Sequence, residues 1–183
     1  MENPKKLANA VQQIFSIVAP EFGPCKSEAI LDKSDSTVFC PKVANILLAG
    51  QTFRLITKIH YFDDELNQAA LNKHIQAFNK TAKVESSDFF SETLNTVAGY
   101  LKGHLETQEI QMGLSLPLVT NGFDELFTDR PENNEWTGFW HWESEIRGVI
   151  ISTSIEILSK ENFESINWDI QQEDEQDCEI EFL

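Results

Sequence analysis

The order in which strand-like and helix-like segments follow one another constrains the fold of this chain most. Two pairs of segments are rich in β-branched and aromatic residues, and each pair is interrupted only briefly, which predicts two hairpins. The four predicted strands span residues 43–49, 52–60, 136–142 and 146–158. Because the strands arrive in hairpins and do not alternate singly with helices, the sequence favours a largely antiparallel β-sheet over a doubly wound parallel one.

The segments between the hairpins carry apolar residues at helical spacing. Three amphipathic helices are predicted over residues 4–18, from Asp63 or Asp64 to about residue 79, and from Ser86, Ser87 or Asp88 to about residue 105. Residues 110–119 predict a further strand, in which Pro117 indicates an edge, a bulge or a strand end. Residues 120–135 are rich in turn formers and predict a long surface loop. The predicted fold class is α+β, an antiparallel sheet with packed amphipathic helices, in one domain over residues 1–160.

The charge distribution excludes some classes of partner. Of 183 residues, 30 are acidic and 14 are basic, which gives a net charge of −16. This excess repels nucleic-acid phosphates and anionic lipid headgroups, so neither nucleic acid nor a membrane is expected as a partner. Residues 161–183 hold nine of the acids and no Lys or Arg, which predicts a flexible acidic tail. No apolar run is long enough to span a bilayer, and we expect a cytoplasmic protein.

The residues that most often bind metals or perform covalent catalysis form no known motif here. Cys25, Cys40 and Cys178 are widely spaced and predict reduced thiols, without a disulfide framework or a zinc site. The four histidines show no paired spacing, and no Gly-rich phosphate loop occurs. The sequence therefore predicts no metal site.

The third predicted helix has two distinct faces. Its apolar face is formed by Phe90, Leu94, Val97, Leu101 and Leu105. On the opposite side, Asp88, Glu92, Asn95 and Gly99 recur at steps of four, three and four, and so share one stripe. A carboxylate beside a carboxamide can hold a cation and orient a water molecule, while a mid-helix glycine permits close approach by another surface. Periodicity alone favours a solvated helix face over a functional one.

The stretch Asp88-Phe-Phe-Ser-Glu92-Thr-Leu-Asn95, followed by Pro117, resembles the signature of the CheC, CheX and FliY chemotaxis phosphatases. That signature is Asp or Ser, three residues, Glu, two residues, Asn, and a proline some twenty residues later; the proline here lies about one position from its usual place. The resemblance covers roughly residues 5–158. Only one copy of the signature is present, which is typical of the single-site CheX type.

The resemblance implies a phosphatase that acts on a phosphorylated CheY-like receiver protein. Glu92 would dock the helix and Asn95 would orient the attacking water, with Asp88 and Gly99 contacting the partner. The receiver would supply the phosphoaspartate and its Mg²⁺, so no cofactor of the chain's own is expected. The resemblance also implies a homodimer formed through the terminal hairpin. The alternative is a non-catalytic adaptor that binds a response regulator or another signalling protein through the same helix face.

Overall fold

The computed structural model describes residues 3–19, 25–27, 40–78, 84–122, 136–142 and 148–170, and it confirms the predicted α+β class. The helices are α1 (Asn3–Val18), α2 (Glu65–Phe78), α3 (Ser86–Glu106) and α4 (Lys160–Glu164). The strands are β1 (Cys25–Ser27), β2 (Lys42–Gly50), β3 (Phe53–Tyr61), β4 (Met112–Leu114), β5 (Leu118–Asn121), β6 (Trp136–Trp142) and β7 (Ile150–Ile157). Every strand pairing is antiparallel.

The two predicted hairpins meet side by side in one sheet. Strand β3 pairs with β2 on one side and with β7 on the other, and β6 and β1 continue the sheet beyond β7. At the junction of the hairpins Thr57 lies opposite Thr153, and both are buried. Strands β4 and β5 both pair with the outer side of β2 and form the other edge. The hairpin prediction is therefore confirmed.

Helices α1 and α3 contact each other, and their apolar residues join those of the sheet in one core. The predicted apolar face of α3 is buried as expected, together with Phe89. On β3 the odd-numbered residues from Phe53 to Tyr61 are all buried, whereas Arg54 on the other face is exposed. Alternation of this kind places the helices on one face of the sheet. Among the described residues, no helix is long and apolar enough to cross a membrane.

The starts of α2 and α3 are stabilised differently. Asp64 caps α2 as predicted, because its Oδ1 accepts a hydrogen bond of 2.8 Å from the Asn67 backbone N–H. Helix α3 begins at Ser86, but the prediction that Ser86, Ser87 or Asp88 caps it is wrong, since the N-cap residue is Glu85, whose side chain makes no capping hydrogen bond. Instead, the Gln68 side chain of α2 accepts from the Ser86 N–H at 3.1 Å and donates to the Val84 carbonyl at 2.8 Å. Helix α2 thereby fixes the first turn of α3.

The single strand predicted over 110–119 is two short strands separated by a β-bulge. Leu48 lies opposite Leu114, whereas Asn45 lies opposite Leu118, so three steps along β2 correspond to four along its partner. Pro117 lies in this interruption, where its missing N–H removes no ladder hydrogen bond. The prediction that Pro117 marks an edge or a bulge is confirmed.

The chain continues to pack against the core beyond residue 160, where the sequence predicts the end of the domain. Phe163 and Trp168 are buried, and their rings lie 5.5 and 5.8 Å from the ring of Phe53. Asn167 exchanges two backbone hydrogen bonds of 2.9 Å with the Gln108 side chain, which fastens this segment to the end of α3. The acid-rich segment thus begins with aromatic residues that pack, although its charge alone predicts a flexible tail. Residues 171–183 lie outside the described residues.

The loop predicted over 120–135 begins later than expected. Thr120 and Asn121 belong to β5 and pair with β2. Gly122 follows in a tight position, since a Cβ added there would meet the Cys40 carbonyl oxygen, and only glycine fits. Residues 123–135 lie outside the described residues, as do the side chains of the tryptophans on β6.

Candidate functional site

The outer face of α3 carries the four residues that the sequence singled out. Asp88 and Gly99 are exposed, and Glu92 and Asn95 are partly buried. Because the residues are spaced by four, three and four positions, they follow one stripe along three turns of the helix. The opposite side of the same turns is buried in the core, which fixes the direction in which the stripe points.

A shallow depression lies beside this stripe, and the fold brings Pro117 to it. Its lining consists of Asp88, Ser91, Glu92, Asn95, Leu116 and Pro117. The β4–β5 bulge thus meets the first half of α3, so that the predicted proline lies next to the predicted acid and amide although it follows Asn95 by 22 positions. Gly99 is absent from this lining and lies one turn farther along the helix.

Two residues of the depression were not predicted as site residues. Ser91 precedes Glu92 and lies beside the stripe, and Leu116 precedes Pro117 in the bulge. Ser91 lies three positions after Asp88 and four before Asn95, so helical periodicity could have found it, whereas Leu116 lies outside the helix. The signal that could have found Leu116 is its position next to the predicted proline, combined with the expectation that this proline breaks a strand.

The polar groups at the centre of the site are available to a partner. Within the described part of the chain, no side chain is paired with the Glu92 carboxylate or with the Asn95 carboxamide. The Thr96 hydroxyl donates to the Glu92 backbone carbonyl at 2.9 Å, a contact that leaves the Glu92 carboxylate free. A carboxylate with four lone-pair sites and an amide that both donates and accepts can therefore bind groups from outside.

The first turn of α3 rests on a buried tyrosine. The Tyr61 ring lies 4.5 Å from that of Phe90, and Tyr61 is fully buried. The pKa of Tyr61 is raised to about 12, mainly because the phenol is buried and to a smaller extent because the carboxylates of Asp63 and Asp88 lie nearby. The phenol therefore stays protonated at neutral pH under the acidic end of the helix.

Gly99 has no packing reason to be glycine. A Cβ added at this position would meet no atom within 4 Å. A glycine in the middle of a helix costs about 0.5 to 1 kcal/mol relative to alanine. Gly99 therefore lowers the stability of α3 without allowing a closer contact among the described residues. Close approach by another protein surface is consistent with a glycine at this position.

The fold has relatives among solved structures, although no model of a known protein family and no curated protein sequence matches the chain. Chemotaxis protein CheX from Vibrio vulnificus is 16% identical with a TM-score of 0.56, over 85% of this chain and 100% of that one. A CheC-like superfamily protein from Shewanella sp. PV-4 is 14% identical with a TM-score of 0.56, over 85% and 98% of the two chains. Chemotaxis protein CheX from Desulfovibrio desulfuricans is 11% identical with a TM-score of 0.56, over 86% and 99%. The chain therefore has the fold of the CheX and CheC-like proteins, as the sequence resemblance implied.

Proposed function

We propose that this chain is a phosphatase that removes the phosphoryl group from the phosphoaspartate of a CheY-like receiver protein. The observation that supports it best is the position of Glu92, Asn95 and Pro117 around one depression on the outer face of α3, whose inner face is buried. All three belong to the sequence signature, and Pro117 follows Asn95 by 22 positions. The CheX and CheC-like folds of the structural relatives agree with the same function.

In this proposal Glu92 provides affinity and Asn95 provides catalysis. The Glu92 carboxylate would bind a lysine ammonium of the receiver, a pairing that positions α3 over the phosphorylation site. The Asn95 carboxamide would enter that site, where its oxygen accepts a hydrogen bond from a water molecule and aligns it with the phosphorus atom. An amide needs no change of protonation state for this role, and phosphoryl transfer gains chiefly from positioning and electrostatics.

The reaction is a hydrolysis that restores the receiver aspartate. The water oxygen bonds to phosphorus while the bond between phosphorus and the aspartyl oxygen breaks. The aspartate leaves as a carboxylate, and the protons of the water remain on the inorganic phosphate. The receiver supplies the Mg²⁺ that neutralises charge on the phosphoryl oxygens. The chain's own residues therefore bind the receiver and orient the attacking water.

A receiver panel separates this function from that of an adaptor. Each CheY-like receiver of the source organism is phosphorylated, and the loss of phosphate is followed with and without the protein, while binding is measured separately. Faster loss from one receiver is the expected result. Binding without faster loss would instead establish the non-catalytic adaptor, in which the same helix face only docks.

The homodimer expected from the resemblance is also a proposal. Among the described residues, β1 pairs with only three of the seven residues of β6, those from Trp140 to Trp142. No other described residue pairs with the rest of that edge, and we propose that a second copy adds a strand there. Sedimentation at several concentrations tests this, with a dimer mass as the expected result and a concentration-independent monomer mass as the contradicting one.

A further inference from the structure

A leucine on the rim of the depression is exposed to an unusual degree. Leu116 is 87% exposed, yet it lines the same depression as Glu92 and Asn95. Single exposed leucines are common on protein surfaces, so exposure alone carries little weight. The position of Leu116 and the backbone that holds it distinguish it from such residues.

The β4–β5 bulge turns Leu116 away from the core. In an uninterrupted strand, residues two apart share a face, so Leu116 would share the face of Leu114, which packs against the core. After the extra residue, Val119 lies opposite the buried Ala44 and takes up the core side instead. Bulges commonly redirect side chains next to functional sites. Here the redirected side chain is apolar and lies beside the acid and amide of α3.

The backbone on both sides of Leu116 is held firmly. The Ser115 N–H donates to the Leu47 carbonyl at 2.9 Å, and the Ser115 hydroxyl oxygen accepts from the Leu47 N–H at 3.0 Å. Pro117 has a fixed φ, and its ring also restricts the backbone of Leu116, the residue before it. A side chain presented on an ordered backbone loses less entropy when a partner covers it.

We propose that Leu116 is an apolar anchor that inserts into a hydrophobic recess of the phosphorylated receiver, next to the contact made by Glu92. This proposal rests on the proposed function and names a further contact for the same partner. An apolar contact with polar groups around it is the usual composition of a protein interface. A second copy of this chain is a poor occupant of this surface, because the carboxylates of Asp88 and Glu92 beside Leu116 would repel the same carboxylates of the other copy.

The test compares three leucine variants in binding and in turnover. The probe is the receiver that the wild type dephosphorylates, held in its activated form by beryllium fluoride and Mg²⁺. Leu116→Ser is expected to raise the Kd about tenfold, since most of the burial of one leucine is lost. Leu116→Met is expected to bind like the wild type. Leu66→Ser is the matched control, because Leu66 is 76% exposed on α2 and does not line the depression.

Each outcome decides between the two proposals. The anchor is supported when Leu116→Ser alone weakens binding while its rate at saturating protein equals that of the wild type. If Leu116→Ser binds as tightly as the wild type, or slows the saturated rate without changing the Kd, the anchor is wrong and the phosphatase stands. If the wild type neither binds nor dephosphorylates any receiver, both proposals are overturned. Both leucine side chains are exposed, so the variants should keep the wild-type melting temperature, which thermal unfolding measures.

Discussion

The two faces of α3 differ in what determines their residues. The inner face consists of side chains such as Phe90 and Leu94, which are buried against the sheet and α1. The outer face presents Glu92 and Asn95, which make no side-chain pairing within the described residues. Replacing an inner residue should affect folding, whereas replacing Glu92 or Asn95 should affect binding or turnover and leave the stability nearly unchanged. The residues that stabilise the fold and the residues proposed to act on a partner therefore lie on separate sides of one helix, so stability and function can be tested independently.

The largest effect is expected on the inner face. Phe90→Ala should lower the free energy of unfolding by about 3 to 5 kcal/mol, because it leaves a cavity between α3 and Tyr61. Urea unfolding followed by circular dichroism measures this. Asn95→Ala, on the outer face of the same helix, should change the free energy of unfolding by no more than about 0.5 kcal/mol. Equal losses for the two variants would contradict the division between the faces.

An effect of intermediate size is expected at alkaline pH, where the buried tyrosine meets the acidic end of the helix. The pKa of Tyr61 is raised to about 12 from a usual value of 10.0, so the folded state retains a proton that the unfolded chain releases. The stability from this group is complete below pH 10 and is lost as the pH rises toward 12. The loss should amount to about 2 to 3 kcal/mol.

Tyr61→Phe provides the control for this pH dependence. The variant lacks the titrating hydroxyl, which has no hydrogen-bond partner among the described residues. Its stability should therefore fall less than that of the wild type between pH 10 and 12, in urea titrations at each pH. Parallel curves for the two proteins would show that Tyr61 does not titrate in the way its surroundings imply.

A smaller effect, confined to binding, is expected at Glu92. Glu92→Lys should raise the Kd for the activated receiver at least about tenfold, since it replaces the partner of a cation with a like charge. The rate at saturation should remain close to that of the wild type. Glu106→Lys makes the same charge change at the far end of α3 and is the control. A matching loss of affinity in the control would point to overall charge and would remove the specific role of Glu92.

The smallest effect is expected at the glycines of α3. Gly99→Ala and Gly103→Ala should each raise stability by about 0.5 to 1 kcal/mol, because an added Cβ at either site meets no atom within 4 Å. Only Gly99→Ala should weaken receiver binding, measured as a rise in Kd. If both variants bind like the wild type, Gly99 has no part in the contact with a partner.

Local patterns were sufficient for most of the fold. Alternation predicted the hairpins, and helical spacing predicted which residues of α3, such as Leu94 and Val97, are buried. What failed depended on contacts between distant segments. Gln68 caps α3 from another helix, and Trp168 packs on Phe53 from beyond the predicted domain end. Neither contact leaves a periodic signal in the sequence.

The candidate site was predicted only in part, for the same reason. Helical spacing placed Glu92 and Asn95 together, but only the resemblance connected them with Pro117. Leu116 was missed because a regular strand would direct it toward the core side, and the one-residue bulge reverses that expectation. Side-chain direction near a bulge depends on register, which sequence alone does not determine.

The central claim is that Asn95 orients the attacking water, and a single-turnover measurement tests it most directly. The phosphorylated receiver is mixed with saturating protein, so that differences in affinity do not affect the rate of phosphate release. Asn95→Ala is predicted to slow this rate about a hundredfold or more while retaining binding and thermal stability. Asn162→Ala, an exposed asparagine on α4, should match the wild type. A wild-type rate of phosphate release from the Asn95→Ala protein would contradict the account.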